Sequence, residues 1–584
     1  MKSPFLPLLL LAVLPVWLPA QEETPAAPPP TAPPVRSVSP APLAPLTGQA
    51  VRLPEILSTH MVLQCDMPVP IWGMAAPNAT VTVKFRDQEK TATAGADGKW
   101  SLKLDALKAG GPDKLTINST VIDDVLVGEV WLGSGQSNMA IPVAGFTADP
   151  ALAAMAKETY PQLREFTQSR AGKHAWTEAT PANNATFSAT LFSFGVPLQK
   201  QLQVPVGLVV GAIGGTPSIK WISEEAYRSD PACTETARNF AATYPYDELK
   251  KSYDEAKAAY DQARAAASPV TNTPSAPNAP RAAVLRAPKP VLKAGDLEGP
   301  AWKIGELYEA NIRPMIPYAI RGVLWDQGES GTGIIGGDQY VLMGGLIRGW
   351  RKDWGQGEFP FIYVQKPSGG GPAWDYNDPL TSQADLFKPQ PPKGGPRPND
   401  TYGGFARENT IAIMKYPNTF MVTTSDLGGG THPIHKSGYG AREARTALTA
   451  AYGSKAGIYG PIYESSTIDG GKIHLKFKHL GQGLAFKNGD RLQGFAIAGD
   501  DRKFVWADST IDGDTVVVSS PTVPKPAAVR YAWAIAFPSA NLFNKDGLPA
   551  LTFRTDTWPL PPLPAISAVP AKKPVAAPVK GTGK

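Results

Sequence analysis

Apolar residues follow two textures along this chain. Between 51 and 122 they form short alternating runs, at 69–72, 80–85, 100–104 and 115–118, punctuated by Ala96-Asp97-Gly98 and Gly110-Gly111-Pro112. Strands of that length and spacing predict a small β-sandwich-type domain over 50–122. From 123 the candidate strands become more uniformly apolar, at 125–132, 206–210, 320–325, 361–364 and 419–423, separated by helical stretches such as 247–267. Strands alternating with helices predict an α/β domain over 123–455. Short β-type runs return at 472–477, 495–497, 515–518 and 529–536 and predict a second β domain over 456–556.

The ends and one insertion have a different composition. Residues 1–20 place Lys2 before an apolar run that is broken by Pro7 and Pro15 and ends in Leu18-Pro19-Ala20. The run is too short to span a membrane and reads as a secretory signal, so the chain is expected to be secreted or periplasmic. Residues 21–49 and 557–584 are Pro/Ala-rich tails, and 268–300 is an insertion of similar character. These segments account for the formal charge of +6: Lys572, Lys573, Lys580 and Lys584 supply four, and the insertion supplies the other two. The remainder is neutral, which argues against a nucleic-acid partner. No later stretch reads as a membrane span. The two cysteines, Cys65 and Cys233, leave a single disulfide open but exclude a cysteine-built zinc site.

Candidate chemistry concentrates where strands run into glycine. Residues 128–139 read GEVWLGSGQSNM, a buried strand breaking into Gly133-Ser134-Gly135-Gln136-Ser137-Asn138. A serine on a loosened turn at a strand end exposes its hydroxyl and leaves nearby N–H groups free for an oxyanion. A dinucleotide loop needs a third glycine where Asn138 stands. The α/β-hydrolase elbow needs one where Met139 stands. Of six histidines, His432 and His435 follow the strand at 419–423, in a loop that includes Gly428, Gly429 and Gly430. That is where a base for Ser137 belongs in an open α/β sheet. Metal binding by His432 and His435 is the weaker alternative, because no glutamate lies between them. Two further loops meet the same edge. One carries Gly214 and Gly215, whose N–H groups can approach a substrate, and the other carries Gln327, a side-chain amide. With the Ser137 N–H, these make a candidate oxyanion hole.

These residues together resemble the sialate O-acetylesterase family, of the SGNH-type serine hydrolases. GEVWLGSGQSNM is similar to its nucleophile block, Gly214-Gly215-Thr216 to its glycine block, and Trp325-Asp326-Gln327-Gly328-Glu329-Ser330 to its W-x-Q-G-E-S block. His432-Pro433, Lys436, Gly440 and Arg442 match its histidine block, and the likeness spans roughly 50–556. The resemblance implies a flavodoxin-like three-layer α/β/α SGNH hydrolase domain flanked by small β-sandwich-type domains. It implies an acetylated carbohydrate as substrate, sialate or a plant polysaccharide, and neither metal nor organic cofactor. Ser137 is then the nucleophile and His432 the base, with Glu329 in the substrate pocket. Trp374 and Tyr376 are a candidate sugar-stacking platform.

Three positions depart from the family pattern. Position 429 is glycine where many relatives carry the triad aspartate, which leaves Asp426 as the nearest carboxylate. Asp426 reaches His432 only if the glycine run folds back; otherwise a Ser–His dyad operates. Positions 331 (Gly) and 326 (Asp) also differ, and both bear on the sugar pocket. A catalytically lost, carbohydrate-binding relative and a lipase are the competing readings. Oligomeric state is not legible.

Overall fold

The computed structural model describes residues 46–168, 174–243, 246–266, 303–334, 337–366, 398 and 402–559. Eleven strands join one mixed sheet. In chain order they are β1 (Val62–Gln64), β2 (Thr80–Phe85), β3 (Gln88–Thr93), β4 (Gly110–Ile117), β5 (Thr120–Gly135), β6 (Tyr160–Thr167), β7 (Thr177–Ala179), β8 (Val206–Ala212), β9 (Gly322–Asp326), β10 (Phe361–Val364) and β11 (Thr419–Val422). The organising strand is β5, 16 residues long. Its first half pairs with β1 and β4. Its second half lies between β8 and β9, parallel to both. The domain boundary expected at 122–123 therefore falls inside a continuous strand.

The main path runs β11-β10-β9-β5-β8-β6-β7, and all its pairs are parallel except β6 with β7. From β5 the chain moves out to β6, returns to β8, then crosses to β9 on the other side. The order thus reverses about β5, and a crevice opens at the carboxyl ends of the strands at such a point.

Side-chain alternation feeds two cores. Val323, Trp325, Phe361, Tyr363 and Met421 share a cluster with Leu342, Leu346 and Trp350 of α3 (Gln339–Trp354). Their strand neighbours Leu324, Ile362 and Val422 turn the other way. They pack with Leu191 and Phe194 of α2 (Ala189–Leu202) and with Ala444 and Ala447 of α4 (Lys436–Ala451). Both faces being covered explains why these strands read as unbroken apolar runs. The helices start at side-chain caps where the sequence offers them: Ser188 accepts from the Leu191 N–H, and Asp338 from those of Tyr340 and Val341. Gly355, with φ +64°, ends α3.

The carboxyl-terminal strands form their own antiparallel sheets around Ile473, Leu475, Phe495, Val516 and Tyr531. The N-terminal strands do not: Val81, Val83, Phe85 and Trp100 belong to the same cluster as Trp325 and Trp350. Cys65 and Cys233 are free buried thiols, so the open question of a disulfide closes without one. Cys65 Sγ instead donates to Glu129 of β5, whose carboxylate also takes two bonds from Arg321, at 2.6 and 3.0 Å. No helix among the described residues is long and apolar enough to cross a membrane. The segments 1–20, 21–49 up to residue 45, 268–300 and 560–584 lie outside the described residues.

Candidate active site

Backbone geometry brings the expected glycine loops together. Strand β5 ends at Gly135, with φ +126°, where an added Cβ would lie 2.2 Å from the Asp326 carbonyl oxygen. Only glycine fits so close to β9. The Gln136 N–H donates to that same carbonyl at 2.9 Å, and the chain turns at once into α1 (Ser137–Ala140). Ser137 is therefore the first residue of a helix, where N–H groups lack intrahelical acceptors. In the loop after β8, a Cβ on Gly214 would lie 3.4 Å from Ser137 Cβ, so the exposed glycine loop abuts the serine. Among the described residues, the N–H groups of Ser137, Gly214 and Gly215 have no partner.

The loop after β11 supplies the histidine. His432 Nε2 lies 2.8 Å from Ser137 Oγ. A hydroxyl in this contact can pass its proton to a neutral imidazole. Burial, followed by the nearby Lys436 charge, holds the His432 pKa below its ordinary value, with Glu329 and Asp326 acting in the opposite sense. His432 remains neutral, and able to accept, below the usual histidine range. Among the described residues no third ligand joins His432 and His435 in a metal-binding group.

No family model matches the chain. Over 569 residues it is 26% identical to human sialate O-acetylesterase, covering 88% of this chain and 94% of that protein. With the rat sialate O-acetylesterase it shares 29% identity over 455 residues, covering 70% of this chain and 75% of the other. The crystal structure of a carbohydrate acetylesterase from Xanthomonas citri superposes with a TM-score of 0.65 at 30% identity, over 87% of this chain and all (100%) of that one. The chain belongs to the sialate O-acetylesterase family. It is a member of a family of carboxylic-ester hydrolases, and its remaining site residues read differently in that light.

Two expectations for this family member are corrected. Asp426 does not contact His432. It is fully buried, and its two oxygens accept from Arg442 Nη1 and Nη2 at 2.6 Å each. Arg442 lies on α4, six residues after its first, and holds both oxygens of the carboxylate. Gln327 does not present its amide to the crevice. Its Nε2 donates to the carbonyls of Thr216 at 3.3 Å and Gly331 at 3.0 Å, and its Oε1 accepts from Ser218 and Gln339. With both amide protons committed, Gln327 ties the glycine loop to the loop after β9.

Glu329 is likewise engaged within the protein. Its carboxylate accepts from Gln136 Nε2 at 2.8 Å and Asn138 Nδ2 at 2.7 Å, and pairs with Lys366 Nζ at 2.9 Å. Lys366 also pairs with Asp326 at 2.7 Å, so the unusual aspartate at 326 is the buried counter-charge of a buried lysine. The Lys366 cation holds the Glu329 pKa below the usual carboxylate range against burial, which raises it. Asn138, Lys366 and Lys436 were not among the candidate site residues. Only the motif neighbourhood of Asn138 and Lys436 offered a signal for them. Trp374 and Tyr376 lie outside the described residues.

Proposed function

We propose that the chain is an exported hydrolase of O-acetyl esters on carbohydrates, acting through an acetyl-serine intermediate. The observation that carries this reading is the 2.8 Å contact from Ser137 Oγ to His432 Nε2, beside the unpartnered N–H groups of Ser137 and Gly214. His432 takes the Ser137 proton as Oγ attacks the acetyl carbonyl carbon. The Ser137 N–H and a Gly214 or Gly215 N–H receive the tetrahedral oxyanion. The sugar oxygen leaves with the proton from His432. A water molecule, deprotonated by the same imidazole, then releases acetate and restores Ser137. The reading takes a Ser–His dyad in place of a triad, because Asp426 is bound to Arg442. The names of the relatives support an acetylated sugar as substrate, and the N-terminal 20 residues support export.

The two-sided packing of the parallel strands supports the three-layer α/β/α SGNH arrangement for 123–455, with β domains on either side. The test is turnover of a chromogenic acetate ester and of an acetylated oligosaccharide by the purified protein. Release of acetate that disappears in Ser137→Ala is expected. An octanoyl preference would shift the reading to a lipase, and no turnover of any acetyl ester would remove it.

A further inference from the structure

The contact between Ser137 and His432 joins two weakly anchored pieces. Helix α1 has four residues and no side-chain cap. The loop bearing His432 contains Gly428 at φ +92° and Gly430 at φ +82°, and among the described residues no carboxylate bonds the imidazole. One buried side chain bridges the two pieces. Asn138, next to Ser137, donates from Nδ2 to the Thr431 carbonyl at 2.9 Å, the peptide group that leads into His432. The same Nδ2 donates to Glu329 Oε1 at 2.7 Å. Its Oδ1 accepts from Lys436 Nζ at 2.7 Å. The base loop is thus gripped on both sides of His432, one residue before it and four after.

We propose that Asn138 and Lys436 are positioning residues, a clamp that sets His432 on Ser137 where other hydrolases use a triad carboxylate. The proposal rests on the reading of Ser137 and His432 as nucleophile and base. Lys436 is an expensive choice for a merely structural part. It is fully buried, with Nζ 4.4 Å from the Tyr439 ring and 5.0 Å from that of Phe146. Burial brings its pKa down to about 7, with Asp326, Glu329 and Glu443 opposing that shift and Lys366 adding to it. An apolar side chain would avoid the desolvation. What it would lose is the bond that orients the Asn138 amide, so that Nδ2 faces Thr431 and Glu329.

The experiment is steady-state kinetics on an acetate ester with the full chain carrying Lys436→Met or Asn138→Asp, across pH. Misplacing a base by a fraction of an ångström costs rate rather than substrate affinity, so kcat should fall roughly tenfold or more with KM within about threefold. In Lys436→Met the acid limb of kcat/KM should also move up, because a cation disfavouring the imidazolium has gone. Loosening of the fold would solvate His432 and raise the limb as well, so the melting temperature is measured on the same variant, and a shift at an unchanged melting temperature assigns it to the lost cation. If Lys436→Met fails to fold, Asn138→Asp, nearly isosteric, decides by the kcat criterion. A kcat loss below tenfold in the folded variants, or an unmoved acid limb in Lys436→Met, overturns the clamp. An inactive wild-type protein refutes the hydrolase reading instead, so the two failures are distinguishable.

Discussion

Asp426 and Arg442 form a two-point ion pair with both side chains buried, Oδ1 to Nη1 and Oδ2 to Nη2 at 2.6 Å each. Arg442 Nη1 also donates to the Thr423 carbonyl at 2.7 Å, so the pair stitches α4 to the end of β11. A carboxylate with both oxygens used in this way supports the loop's path and leaves the imidazole alone. Asp426→Asn should therefore leave kcat of the folded protein within about threefold, under about 1 kcal/mol in the barrier. Stability should suffer more, by about 3–5 kcal/mol, since one partner of a buried pair is left uncompensated. Denaturant unfolding and kinetics on the same preparation separate the two effects. A hundredfold loss of kcat without a loss of stability would return Asp426 to the catalytic machinery.

Gln327 invites a parallel test. Its amide fills a slot between the Thr216 and Gly331 carbonyls and is 4% exposed. Gln327→Leu would take the amide donor from the Thr216 carbonyl, at about 1–3 kcal/mol for a buried group left unsatisfied, while the Gly331 carbonyl keeps the Ser218 N–H at 3.1 Å and the Ser218 hydroxyl keeps Gln339 at 3.0 Å. The expected outcome is a lower melting temperature with a kcat loss well under a hundredfold. An oxyanion donor would give the opposite pattern, a loss of roughly 10²–10³ in kcat with stability intact.

The strands of the parallel sheet were legible because burial on both faces leaves a run of apolar residues, as in Val323-Leu324-Trp325. Strand β6 was not legible. Its Arg164 and Glu165 are buried, and such a polar pair reads as surface. Ser137 and His432 were legible for a backbone reason, since each follows a strand and sits among glycines. The pairing of side chains was not. Lys436 meets Asn138 across 298 positions of sequence. Nothing local to either residue announces the other. Gln327 was misread for a related reason: an amide in a polar loop looks free until its neighbours are known. The boundary at 122 was misplaced because β5 changes partners midway without a break in its apolar pattern.

The His432 environment predicts the acid side of the rate profile. Burial lowers its pKa, the Lys436 and Lys366 charges lower it further, and Glu329 and Asp326 only partly offset this. The base must be neutral to accept the Ser137 proton, and a lowered pKa keeps it neutral to lower pH. In kcat/KM, which reports the free enzyme, the acid limb should therefore lie below the ordinary histidine value of about 6.5. A limb at or above that value would mean that His432 is more solvated, or closer to the carboxylates, than this geometry allows.

Glu165 should make stability depend on pH in the direction opposite to most carboxylates. It is 2% exposed on β6, and among the described residues neither of its carboxylate oxygens has a hydrogen-bond partner. Burial raises its pKa from 4.5 to about 8. Between those values the folded protein keeps a proton that the unfolded chain has released. Stability rises with pH only where the unfolded state binds more protons, so here it falls as pH rises, by up to about 1.4 kcal/mol per unit. Glu165→Gln replaces the protonated acid with a neutral amide of similar shape and removes the linkage. Urea unfolding of both proteins from pH 5 to pH 9 should give nearly equal stabilities at the acid end. Toward pH 8 the variant should become progressively the more stable, and the difference should level off above it. Parallel stability profiles for the two proteins would show that Glu165 is already ionised in the fold, with a partner or solvent access that this packing does not provide.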